Sequence, residues 1–453
     1  MKKSIVALMV LVGIVFGIGA AEAATAVASN GSRPQAPPAG GASGAIAIAW
    51  NQELLHIVQT PGAQPATIHP TRSFAILQAA IYDSVVSITK DDRPYLVSVR
   101  ASRGARVDAA AAQAGHDALA ALYPKLQAEL DSQLATELAA IPDGTVKQQG
   151  IQVGQSVASQ LLALRSADGS TATPPAFIAG NKPGDYRPTP PAFAAPVFTG
   201  WANVEPFVLE SASQFRPVAP PAVTSAAYAA ALNEVKSLGQ NTSTTRTADE
   251  TVAARFWAGP IWNSWNEIAD KAAAAHRTNL ETTSRLLAIL NLTFADGVIA
   301  FYDAKYHYAV WRPITAIRMG DSIRNPAITG DATWTPLATT PADPSYPGAH
   351  SVISEAGATV LSAFFGNKDQ VQVTSDVLPG TVRVFNGYQA VTTEAGLSRI
   401  FAGVHTRLDH QAGLELGRDV ARLVLRNSTS ADFGASSKAA APSTPGRVAT
   451  GGY

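Results

Sequence analysis

DAKYHYAVWRPITAIR, residues 303–318, sets a lysine, an arginine and a histidine among bulky aromatics in a chain that is otherwise mild and alanine-rich. Lys305 and Arg312 are seven apart. Two turns of α-helix return such positions to one face. Pro313 is expected to end that helix, because it has no N–H to give and clashes with the preceding turn. The expectation is a pair of cations converging near a helix C-terminus. Tyr306, Tyr308, Val310 and Trp311 around them imply burial, and a buried cation needs an anionic partner.

Helical spacing extends outward from this stretch in both directions. Residues 44–166 form an N-terminal helical region. Its five segments, GAIAIAWNQELLHIVQT, SFAILQAAIYDSVVSIT, RVDAAAAQAGHDALAALY, PKLQAELDSQLATELAAI and VKQQGIQVGQSVASQLLALR, space their apolar residues three and four apart, with Gly and Pro between them. Residues 167–222 change character. Proline is dense, Phe193, Phe198, Trp201 and Phe207 are scattered through it, and no period is visible. A loop of that length is uncommon unless it is functional or packs over another part of the fold. This segment is expected to lie on the body of the protein, as a roof over a pocket or as a dimer contact. Residues 223–428 return to helical spacing, with breaks near 320–347 and 366–388, and TVRVF is the best strand signal. The fold class is all-α.

Thirty-four basic and thirty-four acidic side chains balance, which argues against a nucleic-acid or polybasic membrane binder. Any cationic site is therefore local. There is no cysteine, hence no disulfide, thiolate metal site or cysteine nucleophile. Residues 1–23 have the form of a secretory signal: Lys2 and Lys3, an apolar run, then Ala21-Glu22-Ala23 before the cut. A periplasmic or secreted protein is expected. Residues 24–43 read as a flexible leader, and residues 429–453, rich in Ser, Ala, Pro and Gly, as a disordered tail. The most apolar later segment, Leu286–Val310, is interrupted by Asp296, Asp303 and Lys305, so no membrane span is expected in the mature form.

Two further segments carry chemistry. In DPSYPGAHSVISEAG a loop ends at Pro347 and a helix starts near Gly348, with His350 in its first turn. Free N–H groups at such a start attract an anion, glycine allows close approach, and a histidine there is placed for proton transfer. In LSRIFAGVHTRLDHQAG, His405 and Asp409 are four apart. A carboxylate at that spacing can hold the imidazole in one tautomer and leave its other nitrogen free. Arg399 lies six before His405, off the helix face that His405 and Asp409 share, and must reach the site either across a bend, such as one near Gly403, or from the preceding turn. Three cations, a helix N-terminus and two histidines suit a bound oxyanion such as phosphate or vanadate.

Lys305, Arg312 and Pro313, then Pro347, Gly348, Ala349 and His350, then Ser398, Arg399 and His405, in that order, resemble the three-part signature of the type 2 phosphatidic acid phosphatase and vanadium haloperoxidase superfamily. WRPITAIR, YPGAHS and GVHTRLDH look most like its soluble bacterial haloperoxidase branch. The resemblance covers about residues 280–425. It implies a helical bundle of the vanadium haloperoxidase and acid phosphatase type. It further implies that Lys305, Arg312 and Arg399 hold the equatorial oxygens of vanadate or phosphate, with the backbone N–H groups of Ala349 and Gly348 as added donors. His405 is implied as the axial ligand to vanadium, or as the nucleophile of a phosphatase; Asp409 orients it, and His350 is the general acid/base. The chain departs from the pattern at Gly348 and Ala349, where the family often carries serine and glycine, and Gly348 lacks the serine hydroxyl.

The leading expectation is a secreted vanadium-dependent haloperoxidase that takes hydrogen peroxide, a halide and an organic acceptor. The alternative is an acid phosphatase that hydrolyses phosphate monoesters through a phosphohistidine in the same cage. A non-enzymatic helical binding protein of the cell envelope requires no convergence of these side chains. A homo-oligomer is compatible with the sequence. His307 and His410 lie near the motifs, Asp303 could pair with a cage cation, and His56, His69, His116 and His276 are read as ordinary histidines.

Overall fold

A computed structural model of the chain describes residues 42–429 and Phe433. The segments read as signal peptide, most of the leader and nearly all of the tail lie outside the described residues.

The N-terminal region is five helices: α1 (Ala45–Gln59), α2 (Pro70–Thr89), α3 (Val107–Leu122), α4 (Gln127–Ala139) and α5 (Thr145–Arg165). A second set follows: α6 (Ala226–Leu238), α7 (Ala248–Phe256), α8 (Ile261–Ala275), α9 (Leu280–Tyr308), α10 (Pro313–Arg318), α11 (Ala349–Phe365), α12 (Tyr388–Phe401) and α13 (Arg407–Asn427). Between α11 and α12 a hairpin pairs β1 (Gln370–Thr374) antiparallel with β2 (Val382–Asn386), Val371 opposite Phe385. Residues 381–385 thus hold the strand their β-branched alternation predicts.

α9 is the axis of the molecule. Its start is capped by Asn279, whose side chain accepts from the Thr282 N–H at 3.0 Å. It is long and apolar enough to cross a membrane by length and composition, yet 94% of its most apolar window is buried inside the protein. It packs against α2, α11 and α13, and α2 is buried along nearly its whole length. α11 and α13 come very close. A Cβ added at Gly417 would stand 2.1 Å from the Val352 carbonyl, and one at Gly413 2.6 Å from the Gly348 carbonyl. Only glycine permits that approach.

Pro313 does not end the helix that carries Lys305. α9 stops at Tyr308, where Ala309 turns left-handed (φ 44°, ψ 48°) and gives its N–H to the Lys305 carbonyl at 2.8 Å. Pro313 instead opens α10 at its first position, with Arg312 as the N-cap residue, where a missing N–H costs nothing. Lys305 and Arg312 therefore meet across a break and not along one helical face.

Residues 166–225 contain only one 3₁₀ turn, Trp201–Asn203, and they are tied down by side chains. The Asp296 carboxylate of α9 accepts the N–H groups of Phe207, Val208 and Leu209 at 2.6–2.8 Å. Arg165 lies 3.9 Å over the Phe207 ring and donates to the Glu205 carbonyl at 2.6 Å. Arg216 clamps Asp303 with two bonds of 2.6 and 2.8 Å, so Asp303 serves the irregular segment and not the cage. The main-chain groups of a long loop find partners in this way while it runs over the body.

Candidate active site

Lys305, 0% exposed, comes from the last turn of α9, and Arg312, 1% exposed, from the start of α10. Both turn to Asp343, a buried carboxylate in the loop before α11. Lys305 Nζ is 3.2 Å from Asp343 Oδ2, and Arg312 Nη2 is bonded to Asp343 Oδ1. Lys305 also donates to the carbonyls of Pro344 and Ser345, the latter at 3.3 Å. Arg312 Nε donates to the Asp343 carbonyl at 2.7 Å and Nη1 to the Val404 carbonyl at 2.8 Å. Burial pushes Lys305 down to about 8 against the upward pull of Asp343. Burial raises Asp343, and the two cations outweigh it and leave its carboxyl below the ordinary range.

His405 lies just ahead of α13, outside the helix. Thr406 is the N-cap in a reciprocal capping box with Asp409, and Asp409 reaches back to His405 Nδ1 at 3.3 Å. Asp409 Oδ2 also takes the Thr406 N–H and the Ser345 hydroxyl, each at 2.7 Å. The pairing expected along one helix face is thus made from helix to cap. Asp409 holds the proton on Nδ1, so Nε2 presents a lone pair, and Arg312 Nη1 donates to it at 3.1 Å. Burial and then Arg312 press His405 down to about 3, so the ring is neutral at pH 7.

Arg399 ends α12, and the chain turns at Gly403 (φ 78°), with the N–H groups of Val404 and His405 both on the Arg399 carbonyl. This is the bend that the six-residue spacing requires. Arg399 is 5% exposed, makes one bond of 3.3 Å from Nη1 to the Trp257 carbonyl, and leaves Nε buried without a partner. No carboxylate among the described residues pairs with it. Burial and then Arg312 lower it to about 10, within the range where it stays charged at neutral pH. His350, in the first turn of α11, also uses the Trp257 carbonyl, at 2.8 Å from Nε2. That bond puts a proton on Nε2, and the Gly259 backbone lies close enough to act on the ring as well. Burial and then Arg399 hold His350 well below its ordinary value, so it stands as a base.

Lys305, Arg312, Asp343, Ala349, His350, Arg399 and His405 line a cavity of about 300 Å³. His69 with the aromatics Phe198, Trp262, Phe301 and Tyr302 line it too, and the His69 ring packs against Phe198, Trp262 and Tyr302. Gly348 differs from its expected place. It is absent from the lining, its N–H goes to the Asp409 carbonyl at 2.8 Å, and a Cβ there would point at that carbonyl from 3.2 Å. Val197 and Phe198 show the irregular segment as the roof, with the Val197 N–H on the Ala342 carbonyl at 2.9 Å. His307 is exposed, and His410 bonds Ser351 Oγ at 2.8 Å away from the cavity.

Sequence reasoning passes over three participants. Asp343 was accessible in principle, because two buried cations demand a carboxylate and ADPS supplies one ahead of His350. His69 caps α2, with its Nδ1 on the Thr71 hydroxyl at 3.0 Å and its ring 4.5 Å from Trp262; its neighbour Pro70 signals a helix start and nothing about a cavity. The Trp257 carbonyl is a backbone atom and has no residue signature.

Residues 285–431 match the VCPO second helical-bundle domain. A bacterial vanadium-dependent iodoperoxidase superposes on the chain with a TM-score of 0.74 at 25% identity, over 85% of this chain and 96% of that one. A bacterial vanadium-dependent chloroperoxidase, in its holo form, gives 0.63 at 15% identity over 83% and 96%, and its apo form gives 0.58 at 15% over 81% and 96%. No curated protein matches the chain. The domain match over residues 285–431 and the fold support the vanadium haloperoxidase superfamily. The chain is an enzyme of that type.

Proposed function

We propose that the protein is a haloperoxidase that holds vanadate in the cavity between α9, α11 and α12. The observation that carries this reading is Arg399: a buried guanidinium with an unpartnered Nε, in a cavity shared with two neutral histidines and two more cations. A buried, unpaired cation of that kind is stabilised by an oxyanion. Arg399, the unengaged N–H of Arg312 and the free N–H of Ala349 would hold the anion's oxygens. His405 would turn its Nε2 lone pair from Arg312 to the central atom, with Asp409 fixing the ring. His350, a neutral imidazole on the cavity lining, would take a proton from the peroxide. Vanadate, when bound, activates hydrogen peroxide toward halide as a Lewis acid. The aromatic wall of Phe198, Trp262, Phe301 and Tyr302 would exclude water and face the organic acceptor. We also propose export to the periplasm or beyond, on the form of residues 1–23. Phosphate fits the same cage, and a phosphatase using His405 as nucleophile is the competing reading.

The test uses residues 24–453 stripped of bound anion. Peroxide-dependent oxidation of iodide and bromide that requires added vanadate, with the His405→Ala variant inactive, is the expected result. Hydrolysis of a phosphate monoester that vanadate blocks, without halide oxidation, moves the protein to the phosphatases.

A further inference from the structure

The three cage cations are not equally available. Lys305 donates to the carbonyls of Pro344 and Ser345 and forms an ion pair with Asp343 Oδ2 at 3.2 Å. Arg312 has five N–H groups and makes four bonds, on Asp343 twice, on Val404 and on His405. Arg399 uses one. The carboxylate of Asp343 thus occupies, from within the chain, the cations best placed for a bound oxyanion, and it does so on the lining of the same cavity. Asp409 is already engaged with His405, Thr406 and Ser345. Two carboxylates thus stand against three cations around the cavity.

We propose that Asp343 is a specificity-determining residue: a built-in anion that matches the cage to a singly charged oxyanion and disfavours a doubly charged one. This rests on the oxyanion-cage reading above. The chemical consequence is discrimination between vanadate and phosphate, two tetrahedral anions of similar shape. Between the second ionisation of phosphate and that of vanadate lies a pH range in which phosphate is mainly a dianion and vanadate mainly a monoanion. There, a second negative charge must sit close to the buried Asp343 carboxylate, where like charges repel more strongly than in water. Asp343 therefore separates the two anions by charge, while Lys305 and Arg312 keep the directions it gives them.

Calorimetric titration of the anion-stripped protein with orthovanadate at micromolar concentration and with inorganic phosphate, in that pH range, tests this without any assay of turnover. The wild type is expected to bind vanadate more tightly. Asp343→Asn, which keeps the shape and removes the charge, is expected to bind phosphate about tenfold more tightly or better, with a smaller gain for vanadate, so that the preference narrows. Asp343→Ala serves as the second variant, with circular dichroism confirming the fold. Weaker binding of both anions by both variants would show that Asp343 only orients Lys305 and Arg312, and equal gains for both anions would remove the charge argument. A wild type that prefers phosphate overturns the proposal without any variant. A wild type that binds vanadate selectively but oxidises no halide leaves this inference standing and removes the haloperoxidase reading, so the two fail separately.

Discussion

Arg399 is where stability and function pull in opposite directions. Its guanidinium is buried, charged and short of partners, a condition that costs a folded chain about 1–3 kcal/mol for each unmet buried group. Replacing it with methionine should raise the melting temperature of the anion-free protein and weaken vanadate binding by about a hundredfold or more; differential scanning fluorimetry with and without vanadate reads both. A lower melting temperature for Arg399→Met without anion would mean that the guanidinium is satisfied after all. Gly348 makes a second case. Serine there would set its Cβ 3.2 Å from the Asp409 carbonyl and outside the cavity lining. Gly348→Ser should cost about 1 kcal/mol of stability and leave vanadate affinity within about threefold, as urea denaturation and calorimetry would show. The cage residues were legible because charge and histidine are rare in this alanine-rich chain. Asp343 was not, because the same buried cations can be answered by a ligand or by a side chain, and no local pattern separates the two.

At the level of elements, the chain reads well where one helix stands alone and poorly where two meet end to end. The five N-terminal helices follow their apolar spacing to within three residues at each end. The break between α9 and α10 does not. Proline is a stop signal inside a helix and a start signal at its first position, and only the left-handed turn at Ala309 tells which applies. That turn is strained for a residue with a Cβ. Ala309→Gly should therefore stabilise the protein by about 1 kcal/mol, seen as a higher urea midpoint with an unchanged slope; a lower midpoint would show that the turn carries no strain. The α11–α13 contact joins the two histidines. A methyl at Gly417 would meet the Val352 carbonyl at 2.1 Å, so Gly417→Ala should separate the helices, cost about 1–3 kcal/mol and weaken vanadate binding by moving His350 away from His405. Unchanged affinity in a destabilised variant would confine the contact to packing.

Across the whole molecule, buried histidines set the acid limit. Burial lowers His69 to about 3, and burial with Arg407 lowers His410 to about 4, whereas the unfolded chain titrates near 6.5. Below about pH 6.5 the unfolded state binds protons that the folded state refuses, so stability is full above that value and falls as pH drops toward 4. The melting temperature without anion should decline from pH 7 to pH 5, and His69→Asn, which keeps the α2 cap, should flatten part of that slope. A slope unchanged by the variant would release His69 from this role.

The clip between Asp296 and residues 207–209 has one more consequence. Every cage residue lies within the matched domain, 285–431, while His69, Val197, Phe198 and Trp262 come from outside it. Only part of the aromatic wall, with Phe301 and Tyr302, is encoded beside the cage; the rest comes from separate stretches of chain, of which the irregular segment is fastened to α9 through Asp296. Substitutions in the irregular segment can reshape the guest list without disturbing the chemistry, and an engineer could graft a different roof onto the same floor as long as Asp296 still has three N–H groups to hold.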